Sequence, residues 1–133
     1  MKRTLFYLWQ LPQNLLGVLL LVLFRTLDDE CSEFTNNGAL ICFSDKMRGG
    51  VSLGRYVFLK PTVERNIHHE LGHCRQSRML GWLYLPIVGI PSLLHAAFYK
   101  HDPQDPDAYY HYWCEAWADR LGGVRRKIKT GIE

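Results

Sequence analysis

Residues 66–76, NIHHELGHCRQ, place three histidines and a glutamate within six positions of a chain that has six histidines in all. Side chains four apart on an α-helix lie about 40° apart on one face. His69 and His73 can therefore grip one ion, while His68 points about 100° away and reads as exposed. Two imidazoles are only part of a metal site, because catalytic and structural centres alike draw at least one further ligand from the protein. The chain must fold so that a second element crosses this helix and completes the set.

The first helix has capping signals at both ends, Thr62 as N-cap and Gly81 as the residue beyond its C-terminus. Val63, Ile67, Leu71, Cys74 and Arg78 form a packing ridge away from the histidine pair. Gly72 costs about 1 kcal/mol of helix propensity relative to alanine, so backbone or ligand is expected to come close there. A second helix is expected from Asp105 (cap) and Pro106 (first position) to the stop at Gly122 and Gly123. On it His111, Glu115 and Asp119 recur every four residues, while Tyr110, Trp113, Cys114, Trp117 and Leu121 gather on the other side as core.

His69, Glu70, Leu71, Gly72 and His73 spell H-E-x-x-H, and Glu115 to Asp119 spell E-x-x-x-D. Together the two motifs resemble the zinc metallopeptidases of the glutamate-ligand, thermolysin-like (gluzincin) type, in a minimal single-domain form. The resemblance implies a small α+β zincin-like domain with a β-hairpin or short sheet, an H-E-x-x-H helix and a second, glutamate-bearing helix. It implies one zinc ion on His69, His73 and Glu115, with Glu70 as general base and a peptide or protein as substrate. Asp119 takes the place of the carboxylate that accepts a hydrogen bond from a ligating histidine. Residues 51–59 would supply the edge strand that pairs with an extended peptide.

The group that stabilises the oxyanion stays open. His111 is a candidate catalytic residue there, with Tyr109 and Tyr112 beside it. Alternatively His111 is a fourth ligand with His69, His73 and Glu115, in which case the zinc is structural and the protein non-enzymatic. His95 and His101 are the runner-up third ligands. The H-E-x-x-H-x-x-G-x-x-H form is excluded by Gln76 and Met79, and the di-iron reading of E-x-x-H lacks its second copy.

The 133 residues suit one domain with a real core, preceded by an apolar segment: residues 1–27 as an apolar N-terminal helix and 28–133 as the metallopeptidase-like domain. Residues 5–24 carry no charge, but Gln10, Pro12, Gln13 and Asn14 interrupt them, leaving 15–24 as a clean run too short to span a bilayer. A second uncharged stretch, 79–99, is broken by Gly81, Pro86, Gly89 and Pro91. Both leave contact with a membrane surface open beside packing in a core, and localisation open between membrane-associated and cytoplasmic.

Residues 28–38 read as an irregular linker, 39–59 as a hairpin turning at Gly49 and Gly50, and 82–104 as irregular. The net charge of +3 is concentrated in a tail, Arg125, Arg126, Lys127 and Lys129, which reads as solvated. Without interleaved aromatics it gives no support for a nucleic-acid partner. The cysteines 31, 42, 74 and 114 form no CxxC, leaving a Cys31 to Cys42 disulfide or buried thiols.

Overall fold

The run VSLGRYVFL does not make one strand, because Gly54 turns it back on itself with a φ of 64°. Its halves become β3 (Gly50–Leu53) and β4 (Tyr56–Leu59), an antiparallel pair joined by the two-residue turn Gly54 and Arg55. The computed structural model describes residues 2–27, 32–36, 38–47, 49–60 and 64–126. Within them β1 (Ser32–Asn36) and β2 (Ala39–Phe43) form a second antiparallel pair through Gly38 at φ 83°. The sheet has the order β1-β2-β4-β3, and β2 runs parallel to β4 with Leu40 opposite Tyr56 and Phe43 opposite Leu59.

Two expectations are corrected here. Residues 39–59 are not a hairpin, since β2 and β4 are parallel neighbours and the antiparallel partner of β4 is β3. The expected linker 28–38 contains a regular strand, β1. The expectations for Thr62 and Val63, for a bridge to Cys31, and for Lys127 and Lys129 fall outside the described residues.

Strand β4 is buried along its whole length, as a central strand covered on both faces should be. Val57 and Leu59 join Ala39 and Ile41 beneath Leu71 and Cys74 of α3 (Glu64–Leu80). Tyr56 and Phe58 face the other way, with Cys42, and pack under Leu21, Val18 and Phe24 of α2 (Leu11–Leu27). The fold is therefore α+β, a small sheet between two long helices. α1 (Lys2–Trp9) precedes α2.

Helix α2 buries two polar residues near its start. Gln13 and Asn14 are both fully enclosed. Gln13 Nε2 donates to Ser77 Oγ and to the Gly81 carbonyl, each at 2.8 Å, and Asn14 Oδ1 accepts from the Arg55 amide at 2.8 Å. The residues that interrupt the apolar N-terminal segment are thus those that fasten it to α3 and to the β3–β4 turn. Gly81 ends α3 with φ 57°, as its position predicts, and the Trp9 ring lies where a Cβ on it would go.

Beyond Gly81 the chain makes a 3-10 turn (Gly81–Leu83) and a π-helical turn (Leu85–Gly89) before α4 (Ile90–Phe98). The expected irregularity of 82–104 is corrected over α4: Pro91 sits in the first turn, where a missing N–H breaks no helical bond. After a loop and a second 3-10 turn (Ala108–His111), α5 runs from Trp113 to Gly122 and ends at Gly123, φ 74°. The expected start at Asp105 is also corrected, because Tyr112 is extended (ψ 142°) and becomes the N-cap residue. The apolar stripe expected on this helix is core only in part, since Cys114 is buried while Trp113 is exposed.

Candidate metal centre

Helices α3 and α5 meet backbone to backbone. A Cβ on Gly72 would overlap the Ala118 carbonyl, and a Cβ on Gly122 would overlap the carbonyl of His68. The close approach expected at Gly72 is thus made by backbone. This crossing brings residues 46 and 42 positions apart in sequence into hydrogen-bond distance: Glu115 Oε2 lies 3.0 Å from His69 Nε2 and 3.0 Å from His73 Nε2. All three side chains are buried, with 4%, 5% and 1% of His69, His73 and Glu115 exposed.

Each ligand candidate is also held from behind. His69 Nδ1 donates to Asp119 Oδ1 at 2.7 Å, and His73 Nδ1 donates to Gln76 Oε1 at 2.7 Å. Gln76 Nε2 in turn donates to the Cys114 carbonyl, tying the two helices together. The second oxygen of Glu115 accepts from Ser92 Oγ of α4. With both Nδ1 protons committed outward, a neutral imidazole presents its Nε2 lone pair to a carboxylate oxygen. Two acceptors facing one acceptor are stable only with a cation between them, either protons on the rings or a metal ion.

The spacing suits the second alternative. Nitrogen and oxygen donors bound at about 2.0–2.2 Å to a tetrahedral ion sit about 3.3 Å from each other. The three donor atoms here all lie within 4.8 Å of one another. Among the described residues His69, His73 and Glu115 are the group that could hold a metal ion.

In the metal-free chain the same geometry redistributes charge. Burial alone would push His69 down, but its hydrogen bonds to Asp119 and Glu115 and the nearby charge of Glu70 outweigh that and raise its pKa to about 9. Burial would push Glu115 up, but its bonds to His69, His73 and Ser92 and the charge of His73 hold it well below the usual carboxylate range. Asp119 is lowered likewise: burial opposes, while His69 and Arg126 prevail.

Glu70, the next residue after His69, is buried at 6% exposure and held against β3. Ser52 Oγ lies 2.7 Å from Glu70 Oε2 and 3.0 Å from the Glu70 carbonyl. On its other side Gly50 leaves no room for a side chain, since a Cβ there would overlap Glu70 Oε1. The strand beside the site is thus β3 alone and not residues 51–59, and its Ser52 carbonyl already accepts from Tyr84 Oη at 3.4 Å.

The other sequence candidates lie elsewhere. His111 precedes α5, has an exposed side chain (44%) and pairs with Asp105 at 3.6 Å, so it does not join the cluster as a fourth ligand. His95 is stacked between Tyr109 and Tyr112, at 4.5 and 4.3 Å between ring centres, and bonds the Tyr109 carbonyl. His101 is exposed, and His68, half-buried, pairs with Glu64. Tyr110 meets the site with its ring edge-on to His69 at 5.0 Å.

Four residues of the site carry no motif. Gln76, three positions after His73, had a signal in its helical spacing. Ser52 and Ser92 had none. Arg126 reads as solvated tail, and this is corrected: its side chain is 5% exposed, with Nε 2.7 Å from Asp119 Oδ2 and Nη2 3.2 Å from Asp119 Oδ1. Its guanidinium also covers the Tyr110 ring at 3.3 Å, which shields the pair from water. Comparison with protein-family models, with curated proteins and with solved structures finds no match.

Proposed function

We propose that the centre binds zinc and hydrolyses peptide bonds. The observation that carries this reading is the convergence of two imidazole Nε2 atoms on one oxygen of Glu115, with each Nδ1 engaged outward and a buried glutamate next in line on α3. Nitrogen, nitrogen and carboxylate form the donor set that a catalytic zinc prefers, with one position left for water or substrate. Zinc bound there would polarise a scissile carbonyl and acidify water.

The chain's own residues do the rest. Asp119 and Gln76 keep His69 and His73 in the tautomer that offers Nε2, and Ser92 orients the Glu115 carboxylate. Glu70 takes a proton from the attacking water on a carboxylate oxygen and returns it to the leaving amine. Ser52 holds that carboxylate while its other oxygen remains free of a side chain at position 50. The H-E-x-x-H and E-x-x-x-D resemblance points the same way.

The experiment is Glu70→Gln. The variant should retain stoichiometric zinc and lose about a hundredfold or more of turnover on a mixed peptide library. A variant that cleaves as fast as the parent would remove Glu70 from the mechanism. The burial of all four residues favours a second reading, a closed structural zinc that joins α3 to α5. On that reading no peptide is cleaved by any preparation and chelation unfolds the chain, whereas on the first a chelated chain loses cleavage and recovers it with added zinc.

A further inference from the structure

Helices α2 and α4 both turn large apolar side chains outward. The exposed residues of α2 between positions 15 and 23 are Leu15, Leu16, Leu19, Val22 and Leu23, while Gln13 and Asn14 are enclosed. In α4 Ile90, Leu93, Leu94 and Phe98 are exposed, and Ser92 and His95 turn inward to Glu115 and the Tyr109 carbonyl. A helix that faces water shows the opposite pattern. α1 likewise exposes Leu5, Phe6, Leu8 and Trp9 and is sewn to the end of α3 and the turn after it: Trp9 Nε1 donates to the Arg78 carbonyl and Trp82 Nε1 to that of Leu8.

The charges say what covers this surface. Residues 4–24 and 79–99 contain no Asp, Glu, Lys or Arg, and each stretch is bounded by cations at both ends, Lys2 and Arg3 with Arg25, Arg78 with Lys100. Arg25 shares its charge with Glu33, whereas Lys2, Arg78 and Lys100 are exposed at the ends of the two stretches. Apolar side chains flanked by cations complement acyl chains under anionic headgroups.

From these outward apolar residues and their flanking cations we infer that the outer faces of α1, α2 and α4 seat the protein in one leaflet of an anionic lipid bilayer. Among the described residues no helix is long and apolar enough to cross a membrane. The clean run of α2 is about 15 Å long against a hydrocarbon core of about 30 Å, so it lies in the leaflet without spanning. The groove between α2 and β3 is lined by Leu16, Leu19, Leu20, Val22, Leu23 and Leu53 and by Thr26, whose hydroxyl is engaged by the Val22 carbonyl; this almost wholly apolar lining accepts an acyl chain. Because Ser92 joins α4 to Glu115, the metal centre sits about one helix diameter, 10 Å, from the lipid. The inference rests on the fold and stands apart from the hydrolytic reading.

The test is flotation of the full chain with vesicles of phosphatidylglycerol in phosphatidylcholine and with phosphatidylcholine alone. The parent should float with the anionic vesicles, less well with neutral ones, and less in high salt. Leu19→Glu with Leu23→Glu, and Leu93→Glu with Phe98→Glu, should each weaken binding about tenfold or more, with helix content unchanged by circular dichroism. Should a variant fail to fold, tryptophan quenching of the parent by brominated lipid decides instead: Trp82 and Trp9 emission falls if the face is immersed. The inference is overturned if the parent does not float, if the folded variants float as well as it does, or if brominated lipid leaves its emission intact. A parent that is dimeric without detergent, whose glutamate variants are monomeric and which binds no vesicles, would assign the face to a second copy.

Discussion

Two regions of this molecule invert the usual arrangement of polar and apolar residues, and they do so for different reasons. Between α3 and α5 the interior is polar: His69, Glu70, His73, Gln76, Glu115 and Asp119 are all buried. On the outside of α2 and α4 the surface is apolar. The first inversion is held from behind by partners within the chain, from Asp119 behind His69 to Ser92 behind Glu115, while its three central donor atoms face one another and call for a cation. The second has no partner among the described residues. A polar interior that is fully hydrogen-bonded costs little, whereas an apolar surface in water loses the free energy that burial would have gained. The comparison separates a region whose partners come almost entirely from the chain from one that has none within it.

Four perturbations break or sharpen that contrast, beginning with the strongest. Gly72→Val drives a side chain into the Ala118 carbonyl and should cost about 4 kcal/mol or more, read as loss of the cooperative unfolding transition and of bound metal together. Arg126→Met removes the cation that holds Asp119 and should cost about 3 kcal/mol in chemical denaturation, with zinc affinity down about tenfold by chelator competition. Arg126→Lys should recover part of both. Unchanged affinity in the folded Met variant would show that Asp119 needs no support from the tail.

The third perturbation is pH. The pKa of His69 is raised from 6.5 to about 9, so in the metal-free chain its protonated form contributes stability that is fully present below about 6.5 and lost as pH rises through about 9. Glu115 and Asp119 are lowered, so their contribution is present above the usual carboxylate range and lost in acid. The metal-free melting temperature should therefore fall between about pH 6.5 and about pH 9, by the equivalent of about 3 kcal/mol. If the centre takes up zinc as proposed, the loaded chain, whose imidazoles would already be neutral, should not show that fall. The smallest effect belongs to the other region: in water Leu19→Ser should change stability by no more than about 0.5 kcal/mol, because that side chain contributes no core contact.

The legibility of these two regions in the sequence also differs. His69 and His73 were readable because a four-residue spacing needs only a helix to become a place in space, and Glu115 and Asp119 because they repeat that spacing. Ser92 and Arg126 were not, since each reaches the site from an element whose position depends on tertiary packing. The sheet was readable as β-rich but not as a topology: the parallel pairing of β2 with β4 leaves no local mark, and a turn at Gly54 is hidden inside an apolar run. Gln13 and Asn14 looked like faults in an anchor. They look so because a single sequence gives no sign that a polar residue in a leucine-rich helix has found a buried partner.

The reciprocal contact of Gly72 with Ala118 and of Gly122 with His68 also governs how the centre can fail. No compliant layer of side chains separates α3 from α5 there, so nothing yields gradually under stress. To spread the triad, one helix must slide bodily along the other, breaking the Gln76 tie and the Asp119 bond in the same movement. The centre behaves like a latch, holding its shape up to a threshold and then releasing all its parts at once.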